Sequence, residues 1–190
     1  MNEYLLFKFL TANTDFTNKE ALDIISHVET VTVKKGMELK LNFNKQYEVC
    51  FVTSGLLGLF VKKSPEQVVL FTSENEWGTS LAKLYGGESP YVYRAIEQTE
   101  VFAYTAETMD RLFIQFPALK DVFFQYYQQV FSMTMAHVSD LYILDSEQRY
   151  KKWTEENPKL AQRVPQYLVA SYLGLLPTSL SRIRKQIHKK

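Results

Sequence analysis

The side chains able to do chemistry crowd the C-terminal end of this chain. The run Thr178-Ser179-Leu180-Ser181-Arg182-Ile183-Arg184-Lys185 mixes short hydroxyl groups and cations with two apolar residues. On a helix, Leu180 and Ile183 stand three apart and share one face. Thr178, Ser179, Ser181, Arg182, Arg184 and Lys185 are then largely outward. A helix entering the DNA major groove needs such a face, because Arg pairs with guanine edges while Ser and Thr donate or accept as the base requires. The residues in front complete a helix-turn-helix pattern running from Pro165 to about Ile187. Pro165 suits the first turn of a helix. Leu168, Val169 and Leu173 give that helix apolar contacts, and Ala170 is small where a second helix must cross closely. Gly174 supplies the positive φ that a tight turn often needs, and Pro177 can open the next helix. An ordinary helical hairpin with a basic face is the competing reading.

The charge distribution bears on that choice. The formal net charge is only +1. Residues 149–190, however, hold 10 Lys/Arg against 2 acids, a balance of +8, and the remainder holds 12 against 19, a balance of −7. A basic end on an acidic body suits a polyanion partner, double-stranded DNA above all; a solvated tail is the alternative.

Other chemistry finds little support. His27, His137 and His188 are far apart in sequence, with no motif around them. Cys50, the single cysteine, lies in the apolar run Val49-Cys50-Phe51-Val52 and reads as a buried thiol. No Cys/His cluster suggests a metal, iron–sulfur or haem site. Gly86-Gly87 is too short for a phosphate loop and reads as a hairpin turn. An enzyme is not expected, and no cofactor is.

The elements that must position the C-terminal pattern follow from periodicity. Glu3–Leu10 and Asn18–Val28 read as short helices, the second with a Thr17/Glu20 capping box. From Val31 to Thr105 short β-rich runs dominate: Val31–Val33, Glu38–Phe43, Val49–Thr53, Leu56–Val61, Val68–Thr72, Tyr91–Ile96 and Val101–Tyr104. Turn residues punctuate them at Lys35-Gly36, Ser54-Gly55, Lys63-Ser64-Pro65 and Gly86-Gly87. Short strands at regular intervals predict an antiparallel barrel or sandwich.

After Thr105 the period is helical. Ala106–Phe116 forms one helix, stopped near Pro117. A long helix runs from about Ala118 to about Asp145. Leu119, Phe123, Tyr126, Val130, Met133, His137 and Leu144 mark one stripe on it, with steps of four and three close to a coiled-coil seam. Asp140 interrupts the stripe. Phe124, Tyr127, Phe131, Val138 and Leu141 mark a second. One stripe can bind the chain's own barrel and the other a partner; a single wide intramolecular face is the alternative. The first stripe is the expected homodimer seam, through Phe123, Tyr126, Val130, Met133, His137 and Leu144. Ser146–Trp153 continues as helix, Asn157-Pro158 breaks it, and a short polar link leads to Pro165.

Ala170-Ser171-Tyr172-Leu173-Gly174 followed by Pro177-Thr178-Ser179-Leu180-Ser181-Arg182-Ile183-Arg184 resembles the helix-turn-helix of Crp/Fnr-type regulators, in the compact form that ends soon after the recognition helix. Asp145-Ser146-Glu147-Gln148-Arg149-Tyr150 resembles the segment after the long helix in that subgroup. The resemblance spans nearly the whole chain and implies an α+β fold in three parts. Residues 1–117 form an antiparallel β-roll (jelly roll) of the cyclic-nucleotide-binding-like type with flanking helices. Residues 118–145 form a long dimerisation helix, and residues 146–190 a small helix-turn-helix domain. It implies a homodimer with two recognition helices in successive major grooves. A helix of about 28 residues spans roughly 42 Å, comparable to the roughly 34 Å between half-sites. By resemblance, Thr178, Ser179 and Arg182 read bases, while Ser181, Arg184 and Lys185 contact phosphates. Leu176 stands at the recognition helix N-cap, where the family usually has Ser or Thr; such a loss costs about 1 kcal/mol.

The family's roll often binds a cyclic nucleotide through a Gly-Glu pair and an Arg-Ser pair. With the register taken from Ala95-Ile96-Glu97 to Val101-Phe102-Ala103, Gly78 matches the glycine, but Thr79 replaces Glu and Ser89-Pro90 replace Arg-Ser. Both charged contacts are missing. The pocket then comprises Gly78, Thr79, Ser80, Ser89, Pro90 and Arg94, with Arg94 several residues late and more structural than phosphate-binding. Trp77, Tyr85 and Tyr93 could line it, though aromatics here suit the core. No tight binding of cyclic AMP is expected; an unknown small-molecule effector, or a pure scaffold, are the open alternatives. With no long apolar run and no signal-peptide pattern at Met1–Tyr4, no membrane association is expected and a cytoplasmic location is. A ligand-binding or protein-interaction module of the same fold, without specific DNA binding, is the competing function.

Overall fold

In the computed structural model, which describes residues 3–41, 47–63, 67–81, 85 and 88–187, the chain opens with α1 (Glu3–Asn13) and α2 (Asn18–Ser26). Leu6, Leu10, Ala21, Ile24 and Ile25 turn inward and are buried. The predicted capping box starts α2: the Glu20 N–H donates to Thr17 Oγ1 at 3.3 Å, and the Thr17 N–H returns to the Glu20 carboxylate at 2.8 Å. This satisfies donors that the first helical turn otherwise leaves orphaned.

Two four-stranded antiparallel sheets follow. One has the order β1 (Glu29–Val33), β8 (Thr99–Thr105), β3 (Tyr47–Ser54), β6 (Trp77–Thr79). The other has the order β2 (Glu38–Leu39), β7 (Tyr91–Ala95), β4 (Leu57–Val61), β5 (Gln67–Thr72). The inner faces meet at Val33, Leu39, Cys50, Val52, Leu57, Leu59, Tyr93 and Val101. This is the expected roll, and six of its strands match the predicted runs to within two residues. Strand β6 was not anticipated: three residues carry too little alternation to signal a strand. β2 is shorter than predicted. The Gly86-Gly87 turn, Ser64-Pro65, the end of the Glu38–Phe43 run and His188 lie outside the described residues.

The outer face of each sheet is also covered. Against the first sheet lie α1, α2, α3 (Ala106–Gln115) and the start of α4 (Ala118–Ile143), in a core rich in aromatic pairs. The Phe51 and Trp77 rings are 5.0 Å apart, as are those of Trp77 and Phe123. Against the second sheet lie α5 (Ser146–Glu156), α6 (Pro158–Arg163), α7 (Gln166–Tyr172) and α8 (Pro177–Ile187). Leu56, Phe60, Val68, Phe71 and Ile96 share that core with Trp153, Leu168, Val169, Ala170, Leu173 and Leu180.

The long helix ends at Ile143, within two residues of the expected bound, but it does not continue into the next one: Leu144 is extended and the helix from Ser146 is separate. Asp145 then caps a new helix, accepting from the N–H groups of Glu147 and Gln148 at 2.9 Å each, while the Gln148 side chain accepts from the Asp145 N–H at 3.0 Å. Arg149 covers the open end of α4 by donating to the Leu144 carbonyl at 2.7 Å. The polar link before Pro165 is also a helix, α6. Its Pro158 stands at the first position, where a missing N–H costs nothing, and its Leu160 and Ala161 pack against the second outer core.

Candidate nucleic-acid interface

The helix-turn-helix forms where the spacing placed it. α7 buries Leu168, Val169 and Ala170, and α8 buries Leu180 and Ile183. Ala170 has no exposed surface, so the helices cross at a methyl group. Gly174 has φ +68°, and a Cβ added there would stand 3.3 Å from Leu141 Cδ2; the turn needs glycine for conformation and for room. Pro177 opens α8, with the Leu180 N–H donating to the Leu176 carbonyl at 3.1 Å. Leu176 has no side-chain acceptor for the first turn of α8.

Burying Leu180 and Ile183 turns the other face of α8 to solvent. Thr178, Ser181, Arg182 and Lys185 are exposed, and Ser179 is half-buried. Arg184 is half-buried, and its Nε is enclosed without a hydrogen-bond partner. Five of the six residues singled out thus share an accessible or partly accessible face, and Arg184 sits at its margin. Trp153 braces the unit: its ring lies 6.3 Å from those of Phe71 in the roll and Tyr172 in α7.

The long helix sorts its two stripes. Leu119 and Phe123 are buried in the chain's own core. The Tyr126 hydroxyl donates to the Trp77 carbonyl at 2.6 Å, and burial pushes its pKa above the ordinary phenol value. The His137 ring stacks on Tyr172, with centroids 4.1 Å apart and planes 20° from parallel. Burial lowers its pKa and favours the neutral ring. Asp140 binds Lys152 Nζ at 2.6 Å, which ties α4 to α5 and accounts for an acid in that stripe. The stripe expected to meet a partner is divided: Phe123 is buried, Tyr126 and His137 are engaged within the chain, Val130 and Leu144 are half-exposed and Met133 is exposed. The second stripe is open, with Phe124 62% and Phe131 67% exposed and Tyr127, Val138 and Leu141 beside them. At 100° per residue the stripes lie roughly a third of a turn apart, so the roll can take only one.

Neither a family model nor any curated protein sequence matches this chain. Solved structures do. The c-di-GMP-responsive global regulator CLP of Xanthomonas campestris is 15% identical over 91% of this chain and 92% of its own, with a TM-score of 0.71. FixK2 of Bradyrhizobium japonicum is 16% identical over 85% of each chain, with a TM-score of 0.74. A regulator assigned to the crp/fnr family from Eubacterium rectale is 15% identical over 95% of this chain and 88% of its own, with a TM-score of 0.71. The chain has the Crp/Fnr fold.

Within this Crp/Fnr fold the roll holds a cavity of about 230 Å³. Thr79, Ser80 and Ser89 line it with Lys40, Lys62, Glu38, Glu88 and Tyr93. Of the six pocket residues taken from the resemblance, three therefore meet there. Gly78 is set by packing: a Cβ would meet Cys50 Sγ at 2.9 Å and the Tyr93 ring at 3.3 Å. Pro90 is not among the lining residues. Arg94 points to the opposite face of β7. It donates to Glu38 Oε1 at 3.3 Å and lies 5.1 Å from the centre of the Phe60 ring. Trp77 and Tyr93 are core residues, and Tyr85 is exposed. Cys50 is buried, which pushes its thiol up to about 12 and leaves it un-ionised.

Sequence reasoning missed Arg163. From the end of α6 it donates to both Glu74 carboxylate oxygens at 2.8 Å, to the Gly55 carbonyl at 3.0 Å and to Glu97. Ser171 adds a bond across the same junction, accepting from the Val68 N–H at 3.2 Å. The available signal was the run Leu56-Leu57-Gly58-Leu59-Phe60-Val61. Strand β4 within it is buried on both faces, as expected only where something covers the outside of a sheet.

Among the described residues, no group of three or more His, Cys, Asp or Glu could hold a metal ion, and no helix is long and apolar enough to cross a membrane.

Proposed function

We propose that this chain is a cytoplasmic DNA-binding transcription regulator, working as a homodimer, whose roll does not hold cyclic AMP. One observation carries the reading: α8 buries Leu180 and Ile183 and turns Thr178, Ser181, Arg182 and Lys185 to solvent at the basic end of a chain whose remainder is acidic. Arg182, with Thr178 and Ser179, contacts bases. Lys185 and Ser181 contact phosphates, with Arg184 at the edge. The partner-facing surface is the stripe Phe124, Tyr127, Phe131, Val138 and Leu141, which spans residues 124–141 of the 26-residue helix α4. A cluster of exposed aromatics of this size marks an interaction surface. Among the described residues the roll cavity has no Arg to hold a phosphate, Thr79 stands where the family's ribose-binding Glu would be, and its charged lining is Glu38, Glu88, Lys40 and Lys62.

Selection from random duplex DNA tests the reading. The expected result is an enriched, two-fold symmetric sequence whose binding weakens steeply with salt as Lys and Arg displace counterions. Arg182→Ala relaxes the preference at one position by about 1–3 kcal/mol, and Lys185→Ala weakens all sequences alike and lowers the salt slope by about one. If no sequence is enriched, the chain is an interaction module of the same fold and the regulator reading fails.

A further inference from the structure

A second cavity, of about 400 Å³, opens where the reading unit rests on the roll. One wall is the outer face of the second sheet, with Phe60, Arg94 and Ile96; the other is α7 and the start of α8, with Leu168, Leu175 and Leu176. Among the described residues, Lys35 and Arg94 are the charged ones lining it, and both are cations. Apolar walls with a few convergent polar groups are the ordinary make-up of a small-molecule site, and this volume falls in the usual range of about 300–1,000 Å³. The positive end of the 11-residue helix α8 borders the cleft at Pro177, which also favours negative charge there. Arg94 now pairs with Glu38, but that pair is partly exposed, at 24% and 48%. Such partly exposed pairs contribute little, so a carboxylate in the cleft can compete with Glu38 for the guanidinium.

We propose that this cleft binds a small amphipathic carboxylate. Its acid group meets Arg94 and Lys35, and its apolar body lies between Phe60 and Ile96 on one side and Leu168 and Leu176 on the other. The occupant bridges roll and reading unit and so holds α8 docked. That regulatory consequence rests on the DNA-binding reading above; the binding itself does not.

Equilibrium dialysis of the full chain against octanoate and 4-phenylbutyrate, with 1-octanol and 4-phenylbutanol as uncharged counterparts, tests this without DNA. Both acids are expected to bind saturably, and both alcohols about tenfold more weakly. Arg94→Gln should erase the preference for the acid, and Leu176→Trp should block both probes by filling the mouth. Lys62→Gln, in the roll cavity, should change nothing. Equal binding of acid and alcohol, an unchanged Arg94→Gln variant, loss of binding in Lys62→Gln instead, or no saturable binding of any probe would each overturn the proposal.

Discussion

Replacing Arg163 with Met should loosen the reading unit from the roll while leaving each part folded. Met keeps the apolar stem and removes the guanidinium. The lost contacts are the bidentate bond to Glu74 at 2.8 Å, the bond to the Gly55 carbonyl at 3.0 Å and the bond to Glu97. A charge-assisted bond contributes about 1.5–3 kcal/mol net, and a fully exposed ion pair about 0–1 kcal/mol. The three side chains are 27%, 34% and 37% exposed, so the cluster falls between those limits. Removing the cation also leaves two carboxylates facing a backbone carbonyl. We expect a loss of about 2 kcal/mol, which is about 30-fold in the opening equilibrium. Hydrogen exchange reads this directly: amides of α6, α7 and α8 should exchange about 30-fold faster, while those of β3 and β8 keep their protection. Acid should mimic the variant. Burial raises the Glu74 carboxyl, but the Arg163 hydrogen bonds and charge more than offset this and hold it below its ordinary value. Its stabilisation is present above the ordinary carboxylate pKa and is lost as pH falls through the lowered one. Exchange in α6–α8 within about threefold of wild type, against the roughly 30-fold expected, would refute the latch.

Three further outcomes follow from the same contacts. Burial lowers the His137 pKa below 6.5, so the unfolded chain takes up the proton first and stability should fall as pH drops below that value; His137→Phe, which keeps the stack on Tyr172, should remove this step from a pH series of urea melts. Gly174→Ala should cost about 1–2 kcal/mol, because a non-glycine residue is forced into the left-handed region and its Cβ would meet Leu141 Cδ2 at 3.3 Å; thermal melts check it. Phe131→Asp should convert the proposed dimer to monomer in sedimentation, whereas Tyr126→Phe, which keeps the ring and loses only the bond to the Trp77 carbonyl, should leave association unchanged.

Much of the molecule was legible residue by residue. The helix-turn-helix could be read because its determinants are local: Pro165 and Pro177 at helix starts, Gly174 at a turn that requires positive φ, and Leu180 and Ile183 three apart. The strands of the roll were legible from alternation, and the Thr17/Glu20 cap from its spacing. Limits appeared where a local pattern admits two structures. The Asp145/Gln148 box, which divides α4 from α5, and the short helix α6 were both read through as continuous or irregular chain. The two stripes of α4 have similar apolar character, so periodicity could not say which of them the roll would bury. That choice depends on where Trp77 and Phe51 stand in the folded sheet, and it left Phe124 and Phe131 exposed while Phe123 is buried and Tyr126 is bonded to Trp77. Arg94, expected to be more structural than phosphate-binding, is turned by strand alternation to the face opposite the roll cavity, where it pairs with Glu38. Arg163 shows the general reason most simply. Glu74 lies 89 positions from it in the chain, and no spacing rule reaches that far. Local chemistry in the sequence determined the elements and the polar face of α8; only the packing of both outer sheet faces decided which helix surfaces stayed open and how the helix-turn-helix is held.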